Sequence, residues 1–290
     1  MADGVHALRK WRGGVREARE VSQSNSSKFS ADFRPPRRRL SYYLSMTKLF
    51  GNLTTSTASK RFLLLLRHYG PRQTLSVCAA MADDQHIRSF DRWYGVRTSG
   101  HVELSETSFD PLRLKDATSY GPVNAWGLRK LLRILDLPAS GAFVDLGSGL
   151  GRACLIAAEY GFERVTGVEL APELCKVARD NVAKCRIPRA GKPPINIIEG
   201  DVLHYCDYSV DDIFFIYRAF SLDFLLTVLA KLEARAAALK KPLTLIYTER
   251  LGWPQSECVS AIAKDGAFHK SYAGTIWGQA FFAYRCGEWL

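Results

Sequence analysis

The sequence has no long apolar run, no closely spaced cysteine pair and no histidine cluster. Its most hydrophobic stretch, Phe62 to Leu66, ends at Arg67 and is far shorter than the roughly 20 residues that a membrane-spanning helix needs. Seven cysteines stand apart without a Cys-x-x-Cys pair, which favours neither a disulfide framework nor a zinc site. Because the six histidines are dispersed as well, we expect no metal site and no nucleophilic triad.

Acidic residues are scarce in the first part of the chain. Residues 1–80 carry 15 Lys and Arg against 4 Asp and Glu, whereas residues 81–290 carry 25 of each. The segment is polar, rich in Ser and interrupted by Pro35 and Pro36. This composition predicts a basic, largely disordered extension over 1–80. This extension is either an arm that contacts a polyanion, an organelle transit peptide, or a solvated tail upstream of a start at Met81. With no signal-peptide core after Met1, we expect a cytoplasmic protein.

The remainder reads as an alternation of short apolar strands and helices. Such a pattern predicts an α/β fold, a Rossmann-like and mostly parallel sheet with helices on both faces. Two strand-like runs flank Gly274–Gly278 near the end, which indicates a C-terminal antiparallel hairpin. We expect a helical segment with a lid over 81–138 and a ligand-binding domain over 139–290.

A glycine-rich loop follows the first strand of this predicted sheet. In "FVDLGSGLGRACLIAA", Gly147, Gly149 and Gly151 stand at alternate positions before a helix that begins near Leu150. Glycines let the backbone turn tightly and approach a ligand, and a helix N-terminus offers free N–H groups. Ligands of such sheets bind beyond the carboxyl ends of the strands, so this loop predicts a binding site for a nucleotide-like ligand.

Acidic residues near the loop indicate which ligand it holds. Asp145 precedes the glycines, Glu169 ends the second strand 18 residues after Gly151, and Asp201 ends the third. A carboxylate at the second strand suits ribose hydroxyls. Arg152 occupies the position where a dinucleotide loop needs a small residue. These features favour a ligand with an ammonium group, a ribose and an adenine amine over a dinucleotide.

The motifs "VDLGSGLG", "GVEL" and "GDVL" resemble the cofactor motifs of class I S-adenosylmethionine-dependent methyltransferases, over roughly residues 116–250. Within that superfamily, "DLGSGLGR" followed by "GVEL" is most similar to histone lysine methyltransferases of the disruptor-of-telomeric-silencing type and their bacterial relatives. The resemblance implies S-adenosylmethionine as the cofactor, with "SYGPV" as a lid. The cofactor-contacting residues that it implies are Tyr120, Asp145, Gly147, Gly149, Gly151, Glu169 and Asp201.

The segment after the fourth strand departs from the superfamily. It reads "YRAFS", with Arg218 where an Asn is common and Phe220 as the remaining aromatic wall. Guanidinium offers donors only, so it cannot hold a nucleophilic amine by a carbonyl. Arg218 instead binds an anionic acceptor or forms a structural ion pair. Glu249, after the fifth strand, is a candidate general base, although a surface carboxylate is the more ordinary interpretation.

Several functions are compatible with these residues. We expect methyl transfer to an acceptor that the sequence does not identify, either a protein lysine or a small molecule with an anionic group. A non-catalytic S-adenosylmethionine-binding protein is a further alternative. Arg152 and the position of Asp145 argue against a dinucleotide oxidoreductase, and fold resemblance alone does not separate the others.

Removal of residues 1–80 should leave cofactor affinity unchanged and weaken salt-dependent binding to polyanions, because the net charge lies in that segment. Calorimetry with S-adenosylhomocysteine and a heparin titration measure the two effects. An unfolded truncation would contradict the proposed boundary.

Overall fold

The computed structural model describes residues 88–108, 111–113, 115–186, 195–205, 208, 210–250 and 257–287. The predictions for residues 1–80 lie outside the described residues. Within the described part, no helix is long and apolar enough to cross a membrane.

Seven strands form one sheet in the order β3-β2-β1-β4-β5-β7-β6. Strands β1 to β5 pair in parallel and β7 runs antiparallel to both β5 and β6. The strands are β1 (Ala142–Leu146), β2 (Arg164–Glu169), β3 (Ile195–Glu199), β4 (Ile213–Tyr217), β5 (Leu243–Arg250), β6 (Phe268–Ile276) and β7 (Gln279–Cys286). The predicted mostly parallel sheet with a C-terminal antiparallel hairpin is confirmed.

Helices cover both faces of this sheet. They are α1 (Ala125–Leu135), α2 (Arg152–Tyr160), α3 (Pro172–Lys184), α4 (Leu222–Leu239) and α5 (Glu257–Lys264). Short 3-10 helices occupy Leu104–Glu106, Pro111–Arg113 and Val202–His204. Pro172 stands in the first turn of α3, where its missing N–H costs no hydrogen bond.

The central strands are buried on both sides, which explains their nearly continuous apolar sequence. All five residues of β1 are buried. Phe143 packs with Phe215 and the buried side of α1 and α2 on one face. Val144 and Phe214 pack with α4 and α5 on the other face. The sheet therefore separates two cores, and polar residues are exposed along the edge strands β3 and β6.

The order of the strands explains where a ligand can bind. Strand β1 lies between β2 and β4, so the chain proceeds to one side of β1 and then crosses to the other. Helix α2, which follows β1, and helix α4, which follows β4, cover opposite faces of the sheet, so a crevice opens between them at the carboxyl ends of the strands. The glycine loop connects β1 to α2 at this crevice.

Residues 88–94 are helical. Two local features differ from what the sequence pattern predicts. Gly274 lies inside β6, because the hairpin turns at Trp277 and Gly278. On α1, the spacing of apolar residues predicts Trp126 and Ile134 on the buried stripe, but both are exposed. The buried stripe of α1 is instead Ala125, Gly127, Leu128, Leu131 and Leu132.

The reason for the change on α1 is a close contact with the hairpin. A Cβ on Gly127 would lie 3.0 Å from Phe281 Cε2 and 3.2 Å from the Ile276 carbonyl oxygen. Helix α1 therefore approaches the hairpin through its glycine. This contact turns the neighbouring Trp126 outward.

Asn124 caps α1 and links it to the hairpin. Its Oδ1 accepts a hydrogen bond from the Gly127 N–H at 2.9 Å, and its Nδ2 donates to the Trp277 carbonyl at 3.1 Å. We expect Asn124→Ala to lower the free energy of unfolding by about 2 kcal/mol, since a cap and a buried hydrogen bond are lost together. Urea denaturation measures the change.

Ser221→Ala is the matched control, because Ser221 caps α4 through a longer bond of 3.4 Å to the Phe224 N–H. It should cost less than Asn124→Ala. Equal losses would show that the contact of Asn124 with the hairpin contributes nothing.

Candidate functional site

The glycine loop has the backbone shape that its sequence predicts. Gly147, Gly149 and Gly151 all have positive φ, at 84°, 52° and 81°, in the region that side chains disfavour. Gly151 is the N-cap of α2. A Cβ on Gly147 would lie 2.6 Å from Ala219 Cβ, so the loops after β1 and β4 meet at this point.

The side chain of Glu169 is hydrogen-bonded to the backbone of the glycine loop. Its Oε2 accepts a hydrogen bond from the Gly149 N–H at 2.8 Å, and its Oε1 accepts from the N–H groups of Leu170 and Ala171 at 2.9 Å. The side chain is buried, and burial raises its pKa while the three backbone donors oppose that rise. Glu169 thus connects the glycine loop to the start of α3, which the sequence did not reveal.

Asp145 is a buried acid without a cationic partner of its own in the described contacts. It is 3% exposed, and its carboxylate accepts a weak hydrogen bond from Cys154 Sγ at 3.8 Å. Burial, and next the nearby charge of Glu169, raise the pKa of Asp145 to about 8. Near neutral pH this raised pKa favours the protonated form of the carboxyl.

Asp201 lies at the same edge, beside β3. Its Oδ2 forms a 2.8 Å ion pair with Arg113 Nη2, and its Oδ1 accepts from the Leu203 N–H at 2.8 Å. The second contact caps the 3-10 helix Val202–His204. Asp201 therefore fills the ordinary turn-capping role that Gly-Asp pairs have, and it also lines the cleft.

Tyr120 covers the glycine loop. A Cβ on Gly149 would lie 2.1 Å from Tyr120 Cδ2, so the ring rests directly on that glycine. The Tyr120 hydroxyl donates to the Thr98 carbonyl at 2.8 Å. The structure thus places this residue of the predicted lid over the loop.

The segment before the lid pairs with the loop after β4. Thr118 donates its N–H to the Ala219 carbonyl at 3.0 Å and its Oγ1 to the Arg218 carbonyl. Ser221 donates its N–H to the Asp116 carbonyl at 3.0 Å. Arg218 has a φ of 39°. The backbone of "YRAFS" is therefore shaped by this pairing.

One cleft collects most of the predicted residues. Among its lining residues are Tyr120, Asp145, Gly147, Gly149, Glu169, Asp201 and Phe220. Tyr217 and Phe224, which the sequence analysis did not select as site residues, also line it. Phe220 and Phe224 have ring centroids 5.0 Å apart. Phe224 could have been found from the sequence, because it stands four residues after Phe220 at the start of α4. The N-terminus of a helix that follows β4 faces this edge of the sheet.

Three predicted residues lie outside the described lining of the cleft. Gly151 faces α3, where a Cβ on it would lie 3.4 Å from Ala178 Cβ. Arg218 does not belong to the lining, although Tyr217 and Ala219 on either side of it do. Glu249 is 3% exposed, so the expectation of a surface carboxylate is wrong. Within the described residues, its Oε2 has no hydrogen-bond partner. It lies two residues beyond Tyr247 on β5 and thus on the face covered by α4 and α5.

The described residues contain no group of three or more His, Cys, Asp or Glu side chains that could hold a metal ion. The polar groups of the cleft fit a small organic ligand instead. Ser148 Oγ is buried without a hydrogen-bond partner in the described part of the chain. Together with the carboxylate of Asp145, it provides acceptors for an ammonium-bearing ligand.

Residues 111–188 match a family model described as "Histone methylation protein DOT1". The match confirms the resemblance to class I S-adenosylmethionine-dependent methyltransferases. The matched residues include the lid segment, the glycine loop and α3.

The sequence is also similar to a ribosomal protein methyltransferase over a part of the chain. A ribosomal protein L11 methyltransferase from Carboxydothermus hydrogenoformans is 34% identical over 68 residues, which are 23% of this chain and 21% of the relative. The chain thus matches about a fifth of the length of that relative.

Solved structures are similar at low identity. An RNA methyltransferase from Salinibacter ruber, in complex with S-adenosyl-L-homocysteine, has 18% identity and a TM-score of 0.40, covering 58% of this chain and 95% of that one. A ribosomal protein L11 methylase from Lactobacillus delbrueckii subsp. bulgaricus has 18% identity and a TM-score of 0.43, covering 59% and 82%.

Gly149→Ala should abolish binding of S-adenosylhomocysteine while the domain stays folded, because the new methyl group collides with the Tyr120 ring and displaces the loop. Gly161→Ala is the control: its φ is 112°, and no heavy atom lies within 4 Å of its Cβ position. Both variants strain the backbone by about 1 kcal/mol or more. Calorimetry showing equal affinities for the two variants would refute the role of the loop.

Proposed function

We propose that this methyltransferase domain binds S-adenosylmethionine in the cleft at the carboxyl ends of β1 to β4 and transfers its methyl group to an acceptor. The observation that carries the proposal is the convergence of Asp145, Glu169 and Asp201 around a glycine loop that Tyr120 covers. The sequence motifs implied these residues separately, and their common cleft supports a single ligand that touches them all.

Each carboxylate has a distinct partner in this assignment. Asp145, next to the orphaned hydroxyl of Ser148, would accept hydrogen bonds from the ammonium of the cofactor. Glu169 would accept from the ribose hydroxyls, since a carboxylate oxygen can take more than one donor. Asp201 would face the adenine amine beside its ion pair with Arg113.

When bound, the cofactor supplies a sulfonium carbon that is already electrophilic. The chain then has to orient the acceptor, exclude water and accept a proton. Tyr120 covers the glycine loop from above, and the aromatic rings of Phe220 and Phe224 line the cleft next to β4. These groups form an apolar wall on the side from which an acceptor would enter.

The acceptor that we propose is an amine, with a protein lysine as its source. The described lining next to β4 is aromatic, with Tyr217, Phe220 and Phe224, and aromatic faces attract cations and alkylammonium groups. Asp116 adds a carboxyl group to the same cleft. Arg218, the candidate for binding an anionic acceptor, lies outside the described lining, which weighs against an anionic small molecule.

The first experiment is calorimetric titration with S-adenosylmethionine, S-adenosylhomocysteine and NAD. We expect micromolar binding of the two sulfur ligands and none of NAD. Tight binding of NAD, or failure of both sulfur ligands, would refute the proposed cofactor.

Transfer is tested with cofactor that carries a tritiated methyl group. We expect label on acid-extracted core histones and on poly-L-lysine, and none on the same proteins after their lysine amines have been acetylated, because an amide nitrogen is no longer nucleophilic. Label on the acetylated proteins would exclude lysine as the acceptor. Cofactor binding without label on any protein would favour the non-catalytic alternative.

Cofactor affinity should rise with pH between about 6 and 8. The pKa of Asp145 is about 8, whereas an ammonium ligand binds the ionised carboxylate, so binding below pH 8 should release a proton. The dissociation constant should therefore fall by close to tenfold per pH unit well below the pKa. Calorimetry in two buffers of different ionisation enthalpy counts the released proton.

Asp145→Asn is the control for this titration. It should weaken binding and remove the rise in affinity, since the amide does not ionise. It should also stabilise the free protein most above pH 8, because a carboxyl with a raised folded-state pKa destabilises the fold once it is ionised. Affinity that is independent of pH in the wild-type protein would contradict the assignment of Asp145.

A further inference from the structure

Arg152, the first residue of α2, carries one of the most buried charged side chains in the described part of the chain. It is 1% exposed. Its Nε donates to Thr98 Oγ1 at 2.7 Å, and its Nη2 lies 3.2 Å from Asp91 Oδ1 and 3.3 Å from Ser99 Oγ. The guanidinium also lies 4.7 Å from the centroid of the Phe90 ring. A buried charge with this many partners is costly to disturb.

Most of these partners belong to residues 90–99, and Arg152 Nη1 also donates to the carbonyl of Val123, in the lid segment itself, at 3.4 Å. Asp91 accepts hydrogen bonds from the N–H groups of Thr98 and Ser99, at 2.8 and 2.7 Å, and from Thr98 Oγ1 at 2.6 Å. Thr98 is itself fully buried. Arg152 and Asp91 therefore fix the position of the Thr98 backbone relative to the start of α2.

The Thr98 carbonyl in turn holds the lid. It accepts the hydrogen bond from the Tyr120 hydroxyl at 2.8 Å, and the Tyr120 ring lies on Gly149. Thr98 therefore connects Arg152 to Tyr120. Arg152, which directly follows the glycine loop in the chain, bonds to the Thr98 side chain, and the Thr98 carbonyl holds Tyr120 over the same loop.

We propose that Arg152 is a positioning residue for the lid: through Thr98 it holds Tyr120 over the glycine loop before any ligand binds. The position of Arg152 supports this role. Dinucleotide-binding loops place a small residue here, where helix and strand pack closely. In this chain the guanidinium instead extends to the lid segment, so the same position connects the loop to its cover.

The first test uses the free protein, so it does not depend on the proposed function. Hydrogen exchange reports on the amides of Thr118 and Tyr120, which bond to the Ala219 and Val102 carbonyls at 3.0 and 2.9 Å. In Arg152→Gln we expect these amides to exchange about tenfold faster, since loss of charge-assisted hydrogen bonds releases the lid. Unchanged exchange at both amides would overturn the proposal.

Arg235→Gln is the matched control. Arg235 is also buried, at 7% exposure, and it donates to the carbonyls of Tyr208 at 3.0 Å, Lys241 at 3.1 Å and Asp211. These contacts lie at the amino ends of β4 and β5, opposite the cleft. Arg235→Gln should lower stability without faster exchange at residues 118 and 120. Equal acceleration in both variants would indicate general destabilisation and overturn the proposal.

The second test measures ligand kinetics and rests on the proposed function. We expect Arg152→Gln to accelerate dissociation of S-adenosylhomocysteine about tenfold in stopped-flow displacement, with Arg235→Gln at the wild-type rate. If the wild-type protein does not bind this ligand, the proposed function fails and the exchange test still decides the role of Arg152.

Two smaller changes test the route through Thr98. Tyr120→Phe removes the hydroxyl, and Thr98→Val removes the acceptor of Arg152 Nε but keeps the Thr98 carbonyl. Both should accelerate ligand dissociation and exchange at Thr118. Thr98→Val also provides the test should Arg152→Gln fail to fold.

The double variant Arg152→Gln with Tyr120→Phe tests whether the two residues act together. Its rate of ligand dissociation should equal that of the faster single variant, because both substitutions break the same connection. Multiplied effects would show that Arg152 and Tyr120 act independently.

Discussion

The Glu169 carboxylate is the contact on which the ligand-binding edge of this domain depends. One of its oxygens holds the N–H of Gly149, and the other holds the N–H groups of Leu170 and Ala171 at the start of α3. The glycine loop and the second helical crossover therefore share one buried anion. Because three backbone donors surround it, this carboxylate is stabilised in a site where burial alone would favour its protonated form.

The second acid of the cleft is in a different environment, and this difference is what makes the site suited to a cationic ligand. Asp145 has the Cys154 thiol as a weak donor where Glu169 has three amides. Its pKa rises to about 8 in consequence. In the proposed assignment, a ligand that brings an ammonium group would supply the strong donors that this buried carboxyl lacks.

The segment before the lid and the loop after β4 also form a single structural unit. Residues 116 to 118 pair with residues 218 to 221 through backbone and Thr118 contacts, and Tyr120 in the lid donates its hydroxyl to the Thr98 carbonyl. The departure of "YRAFS" from the superfamily pattern is thus accompanied by a backbone connection to the lid. Phe220 and Phe224 remain to form the wall of the cleft.

The sequence by itself determined the alternation of strands and helices, the hairpin, and the position of the glycine loop with its flanking acids. Those features follow from local physics: apolar runs bounded by turn residues, and glycines at three positions with positive φ. Only the tertiary structure decided the exposure of Trp126, the burial of Glu249 and the role of Arg152. Each of these depends on partners distant in the chain, such as Phe281 for α1 and Thr98 for Arg152. Periodicity records which side of an element is apolar, but it does not record which other element approaches that side.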